Sequence, residues 1–395
     1  MSASISVIDW LVIAVYLIAL LGFAYYLSRS QSDREDYYVG GRKMGSWPVA
    51  ISILATQCST NSILGAPAFV AFAAGGGLLW LQYELTVPLA MVVIILVLVP
   101  VFQALKLVSV YAFLEQRFGL KTRLLLSGLF QFVRAFATAV TVYSIALVIE
   151  LITGLSFFWS VIFLGLFTVV YDVMGGIKGV IYSDVAQMLI LVLMLIIVLV
   201  SLVADAGGFS AMLQAVPSDR LETVRFDKHG FGDGHTFAFW PMLFGGLFLY
   251  VSYYGCDQSQ AQRVLSCDGD KGSMKALFYN GLLRFPLVAL YCFVGIGIAA
   301  YAVNNVDFIP SLPTHNEQTN FNLAVPMYMI NQLPLGLVGL ALVALFAAAM
   351  SSLDSVLNSL SATTMEDFVF RFRRKTWSLK RELWTSRLIT MIWGA

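Results

Sequence analysis

Charge is what this 395-residue sequence has least of: Asp, Glu, Lys and Arg together make up 12% of it, where a soluble domain carries about 25%. Half the usual charge cannot coat a water-facing surface, which excludes an ordinary soluble globular fold. The two signs balance, Lys+Arg 24 against Asp+Glu 23, and this removes nucleic acid and polyanionic surfaces as expected partners. Histidine is scarce. His229, His235 and His315 all fall in hydrophilic stretches, leaving none to ligate haem or relay protons inside a membrane. The four cysteines, Cys58, Cys256, Cys267 and Cys292, include no CxxC pair, so neither a zinc site nor a disulfide framework is expected. A nucleophile-base pair and a phosphate-cradling glycine loop are also missing, and an enzyme is not expected.

What the chain has instead is long apolar runs. Hydrophobic residues make up 59% of it and the mean hydropathy is +0.81. A helix needs about 20 apolar residues to cross about 30 Å of hydrocarbon. By that measure nine membrane spans are predicted, near 6–28, 45–73, 78–102, 122–150, 156–176, 180–204, 237–262, 276–303 and 335–365, with an apolar fragment from 386 onward. The first span has no basic leader and no small-residue cleavage site, so it reads as a retained helix rather than a signal peptide. A half-span is an unstable end in lipid, and further helices are expected after Ala395.

Basic residues collect in alternate loops. Arg29, Arg34, Arg42 and Lys43 follow the first span; Lys106, Arg117, Lys121 and Arg123 the third; Lys178 the fifth; Arg263, Lys271 and Lys275 the seventh; and Arg371, Arg373, Arg374 and Lys375 begin a basic run after the ninth. The opposite loops hold only Arg220, Arg225 and Lys228. The positive-inside rule then predicts an external N-terminus and a cytoplasmic 365–386 segment, in the plasma membrane or a bacterial inner membrane.

Polar groups inside a bilayer cost several kcal/mol unless paired, so breaks in the apolar runs point to function. The second span places Thr56, Gln57, Ser59, Thr60, Asn61 and Ser62 near its middle, ahead of Gly65 and Pro67. This pattern fits either an unwound helix centre whose freed carbonyls bind a cation or a polar stripe packed on neighbouring helices. The ninth span carries Ser351, Ser352 and Ser355 on one face with Asp354 beside them, after the small residues Ala347 to Ala349. Hydroxyls and carboxylates are hard ligands suited to an alkali or alkaline-earth cation. Asp184 opens the sixth span, as a helix-end charge or an ion ligand. Arg134 stands eleven residues past Arg123, about 16 Å deep at 1.5 Å per residue, and needs an anion: a protein acid such as Glu150 or an incoming carboxylate. Arg284 is nine residues past Lys275 and either snorkels to the interface or stays buried.

The runs DYYVGGRKMGSWPVAISILATQCSTNSILG, YAFLEQRFG, YDVMGGIKGVIYSDVAQ, DQSQAQRVLS and AAAMSSLDSVLNSLSATTMED, in this order between about residues 36 and 367, resemble the sodium:solute symporter family. The resemblance implies an all-α polytopic membrane protein with the LeuT-like fold of inverted five-helix repeats behind an extra first helix: 6–28 as that helix, 45–204 as the first repeat, and 237–395 as a second repeat whose last core helices are missing, together one transport domain over 1–395. It implies sodium as the coupled ion, one or two per cycle. The main site would use the carbonyls of Ala55, Cys58 and Ala348 and the hydroxyls of Ser351 and Ser352; a second would use Asp184 with Ser351, Asp354 and Ser355. For the solute it implies contacts from Gln57, Ser59, Ser62 and Gln82, with Arg134 holding a substrate carboxylate, Tyr253 at an inner-gate position and Arg284 at a sugar-binding lysine position. A buried arginine favours a small organic anion over a sugar or other neutral solute. The MED and QSQAQR segments resemble the monocarboxylate, multivitamin and iodide branch. The competing expectation is a symporter-like sensor domain of a larger signalling protein, which would show kinase motifs downstream.

Overall fold

A computed structural model of the protein describes residues 6–29, 31–315, 317–373 and 376–395, so that Arg374 and Lys375 of the basic run lie outside it. Every predicted span is helical. Helix α1 is Val7–Ser28, α2 is the short Arg34–Val39, and the second span is two helices, α3 (Ser46–Gln57) and α4 (Thr60–Phe72), bent by 60° at Cys58 and Ser59. The next spans are α5 (Trp80–Ala104), α6 (Leu120–Thr153) and α7 (Phe157–Asp205). The 49 residues of α7 hold both the fifth and the sixth span, separated at Gly176, whose φ of +54° and ψ of −162° interrupt the helix. A side chain there would meet Tyr37, with a Cβ 2.8 Å from its ring and 2.9 Å from its carbonyl, so glycine is required for α2 to pack against the junction.

The seventh span is also broken, into α8 (Phe239–Cys256) and α9 (Gln258–Ser266), with Asp257 extended between them. Asp257 caps α9 by accepting from the Ser259 N–H at 2.9 Å. The remaining long helices are α10 (Gly269–Asn304), α11 (Leu337–Thr363) and α12 (Leu379–Gly394). Among the described residues six helices are long and apolar enough to cross a membrane alone, and the bent α3–α4 pair makes a seventh. Helix α8, which carries Tyr250, Tyr253 and Tyr254, is not one of these.

The burial pattern ranks the helices. In the span that α11 begins, 78% of the most apolar window is buried in protein, against 28% in α1, so α11 is central and α1 peripheral. Helix α11 packs on α7, α6, α1 and α3, and its Ala347–Ala349 run lets these backbones come close. Large apolar side chains such as Ile18, Leu96, Phe132 and Phe248 instead face outward, where acyl chains replace water. At the start of α1 Asp9 caps its own helix through Ser6 and accepts from the Gly336 and Gly339 N–H groups at 2.9 and 2.6 Å, which ties α1 to the start of α11.

Small residues set the tightest contacts. A Cβ on Gly295 of α10 would lie 2.7 Å from Val70 Cβ and 2.8 Å from the Pro67 carbonyl of α4. Because that obstacle is backbone, Gly295→Ala is expected to destabilise the protein by about 1–3 kcal/mol. A melting curve in detergent checks this, and an unchanged midpoint would show that α4 and α10 do not meet so closely.

Candidate functional site

The two helix breaks face each other across a polar cavity of about 210 Å³. The α3–α4 break contributes Thr56, Gln57, Ser59 and Asn61, α6 contributes Arg134, Thr138 and Thr141, α8 contributes Tyr253, α9 contributes Ser259, and α11 contributes Ser352. Arg134 is not alone there. Its guanidinium pairs with Asp257 and stands 5.1 Å over the Tyr253 ring. The α8–α9 break therefore supplies the anion that the depth of Arg134 demanded, and that anion is Asp257 rather than Glu150.

Beside this cavity a smaller cleft is lined by Ala55, Cys58, Gln187, Met188, Leu191, Ala347, Ala348 and Ser351. Cys58 ends α3 with a ψ of +65°, which turns the chain out of helical register where the cleft lies. Ser351 Oγ is 3.4 Å from the Ala55 carbonyl and 3.2 Å from that of Ala348; Ser352 Oγ is 3.2 Å from the Thr56 carbonyl and 3.3 Å from that of Ala348. The donor set fits sodium: it is all oxygen, neutral, and shared between the α3–α4 break and α11. Gln187 also lines the cleft, and its acceptor Oε1 has no hydrogen-bond partner. The sequence reading did not include Gln187. Its position three residues after Asp184, nearly one turn on, was the available signal.

The second expected ion set also converges, but on an arginine. Asp184 Oδ2 accepts from Ser52 Oγ at 2.5 Å and from Arg263 Nη2 at 3.2 Å. Arg263 also donates to Ser52 Oγ at 2.6 Å, to the Ser259 carbonyl and to Ser355 Oγ. Ser355 Oγ lies 2.9 Å from Thr56 Oγ1 and 3.1 Å from Asp354 Oδ1, and Asp354 holds the Tyr171 hydroxyl. This corrects the loop assignment of Arg263: it is 1% exposed and pairs with Asp184 at 3.2 Å.

Three of the expected solute contacts stand outside the cavity. Gln82 is buried, accepting from the Arg225 N–H at 3.0 Å, and Ser62 donates to the Gln57 carbonyl at 3.3 Å. Arg284 does not snorkel. It is 3% exposed and grips both carboxylate oxygens of Glu84 at 3.0 and 3.1 Å, while the Tyr250 hydroxyl donates to the same carboxylate at 3.0 Å. Gln57, Ser59, Arg134 and Tyr253 do share the cavity, and Asp257, Arg263 and Glu84 are partners that sequence reasoning missed.

A charged latch closes one end of the bundle. Arg123, also assigned to a loop, bonds the buried Asp367 at 2.6 Å and Glu115 at 2.6 Å; Ser109 and Ser127 donate to the same Asp367. Hydrogen bonds from Arg123, then Arg371, hold the Glu115 carboxyl below its usual range.

A broken-helix bundle with oxygen ligands at the breaks is the architecture of secondary transporters with inverted repeats. The chain superimposes with a TM-score of 0.91 on the solved substrate-bound outward-open state of a Na+-coupled sialic acid symporter, at 24% identity over 98% of this chain and 80% of that one, which shows the same LeuT-like fold. The sequence pattern of the sodium:solute symporter family matches residues 37–395, and the chain belongs to that family. Among its relatives are the sodium-coupled monocarboxylate transporter 1 of Xenopus laevis, 30% identical over 99% of this chain and 62% of that protein, and the sodium/sialic acid symporter NanT of Aliivibrio fischeri, 29% identical over 99% of this chain and 75% of that one. The Drosophila melanogaster putative sodium-dependent multivitamin transporter is 28% identical, and the chain spans 65% of its length. These relatives are transporters and not enzymes, in keeping with the sequence reading, and the protein is a multi-pass membrane protein.

Proposed function

We propose that the protein acts as a sodium-coupled symporter that imports a small organic anion by alternating access. The observation that carries this reading is the gathering of the Ala55, Thr56 and Ala348 carbonyls with the Ser351 and Ser352 hydroxyls between a broken span and the most buried helix. A sodium ion held there would supply the charge that bridges α3 and α11, and at 100 mV its inward movement is worth about 2.3 kcal/mol. Ser351 and Ser352 then set how closely α11 approaches the break, and a rigid-body rocking of one repeat against the other changes that distance. The division into an extra helix over 6–28, a first repeat over 45–204 and a second from 237 belongs to this reading, supported by breaks in the first span of each repeat. So does the external N-terminus in a plasma or inner membrane, supported by the basic residues of the alternate loops.

Arg134 recognises the solute, whose carboxylate takes the place of Asp257 on the guanidinium, while Gln57, Ser59 and Tyr253 shape the rest of the cavity. Sodium and solute favour one state of the protein and so raise each other's affinity by an equal factor. The test of the ion site needs no solute. Sodium, but not potassium, is expected to raise the melting point of the purified protein, by an amount equivalent to about 2.7 kcal/mol at a hundred times its dissociation constant. Ser352→Ala should remove most of that rise. Equal effects of the two cations would overturn the reading.

A further inference from the structure

We propose that Asp172 and Asn358 form a proton-binding site, separate from the sodium cleft and from the solute cavity, whose proton is given up when sodium binds. Asp172 lies on α7 one turn before the Gly176 break and is 0% exposed, yet neither of its carboxylate oxygens has a hydrogen-bond partner. Asn358 of α11 is also 0% exposed; its Oδ1 accepts from Gln262 at 2.7 Å, and its Nδ2 is the side-chain donor directed at the Asp172 carboxyl. An ionised carboxylate that faces a single neutral amide donor in a membrane interior is too costly to persist, and a neutral acid in the same place is not.

The ligand is a proton rather than a metal ion because of what surrounds the carboxyl. The Asn358 group that faces it is an N–H donor, which repels a metal ion, and the amide oxygen that could have ligated one is already taken by Gln262. Among the described residues no three acidic, histidine or cysteine side chains converge closely enough to hold a metal. The charged and titratable neighbours are Arg263 from α9, Tyr37 and Tyr38 from α2, Asp354 from α11, and Asp184 and Tyr171 from the same helix; Arg387 of α12 reaches Tyr37. Three buried acids thus share one arginine, which already serves Asp184. On the α2 side the Tyr37 hydroxyl lies 3.1 Å from Thr390 Oγ1 and 3.5 Å from the main-chain oxygen of Asp172, and all three residues are buried.

Sodium in the cleft adds positive charge within electrostatic range and favours the ionised acid, so its binding releases the proton; this half rests on the proposed function. Two measurements on the full chain test it. Infrared spectroscopy without sodium should show the carbonyl stretch of a protonated buried carboxyl in the wild type and its loss in Asp172→Asn. A pH-indicator assay in weak buffer should show sodium releasing about one proton more from the wild type than from Asp172→Asn, with a sodium affinity that rises by up to about tenfold per pH unit only in the wild type. A band retained in Asp172→Asn, or an equal pH dependence in both proteins, overturns the proposal. If no variant responds to sodium, the symporter reading fails, and the band alone decides the proton site. Should Asp172→Asn not fold, Asn358→Ala keeps the acid, removes its donor and should shift the band; an unmoved band counts against the site.

Discussion

Arg263→Ala is expected to be the most damaging single substitution, lowering stability by about 3–5 kcal/mol. The side chain is 1% exposed and joins four groups, Ser52, Asp184, Ser259 and Ser355, from four different helices. Its removal leaves the Asp184 carboxylate buried with Ser52 as its donor, and Asp184 Oδ1 has no partner even in the intact protein. An isolated carboxylate at that depth is strongly destabilising unless it is paired or neutralised. Asp184→Asn in the Arg263→Ala background removes the stranded charge and should recover a large part of the loss, so the double variant is more stable than Arg263→Ala alone. Unfolding in detergent, followed for both single variants and the double, measures the coupling. A wild-type melting point for Arg263→Ala would mean that Asp184 finds its compensation elsewhere.

The spans were legible because hydropathy over about 20 residues is a strong and local signal. The α3–α4 break was legible too, since Thr56 to Ser62 concentrate side chains that a lipid-facing helix does not tolerate. The α8–α9 break was not. The stretch DQSQAQR follows an apolar run and has the composition of a loop leaving the membrane, yet every residue of Gln258–Ser266 is buried. Charge in a cytoplasmic loop and charge folded back into the bundle read alike in one dimension, and this is why Arg263 and Arg123 were counted as loop residues. The depth of Arg134 did announce a partner, but depth fixes no direction around the helix, so Asp257 on another element could not be singled out from Glu150 on its own. Glu84 offered a usable sign: one acid within the third span answers one base, Arg284, within the eighth. Asp354 was visible as an anomaly, whereas its partner Tyr171 was hidden among ordinary aromatic residues.

Arg134→Gln is expected to reduce carboxylate uptake by about 30-fold to several thousand-fold, the equivalent of losing about 2–5 kcal/mol from a desolvated charge-assisted contact. The cation has to leave Asp257 before it meets the solute, so the measured affinity is that of an exchange, carboxylate for carboxylate, on a guanidinium that never stands unpaired. Two effects of opposite sign follow for the partner. Asp257→Asn removes the competitor and should tighten carboxylate binding, and it should also loosen the cap on α9, because the Ser259 N–H loses its charged acceptor. The pair of variants therefore separates recognition from architecture. If Arg134 serves as a strut between α6 and the α8–α9 break, Arg134→Gln and Asp257→Asn should impair uptake alike, each having broken the same bond. If Arg134 recognises the solute, Asp257→Asn lowers the half-saturating concentration of a carboxylate while Arg134→Gln abolishes its transport. Initial rates in proteoliposomes with an inward sodium gradient, run over a panel of short carboxylates and their neutral amides, give the answer. Equal loss in both variants would remove Arg134 from the solute site and leave it as the clasp of the broken helix.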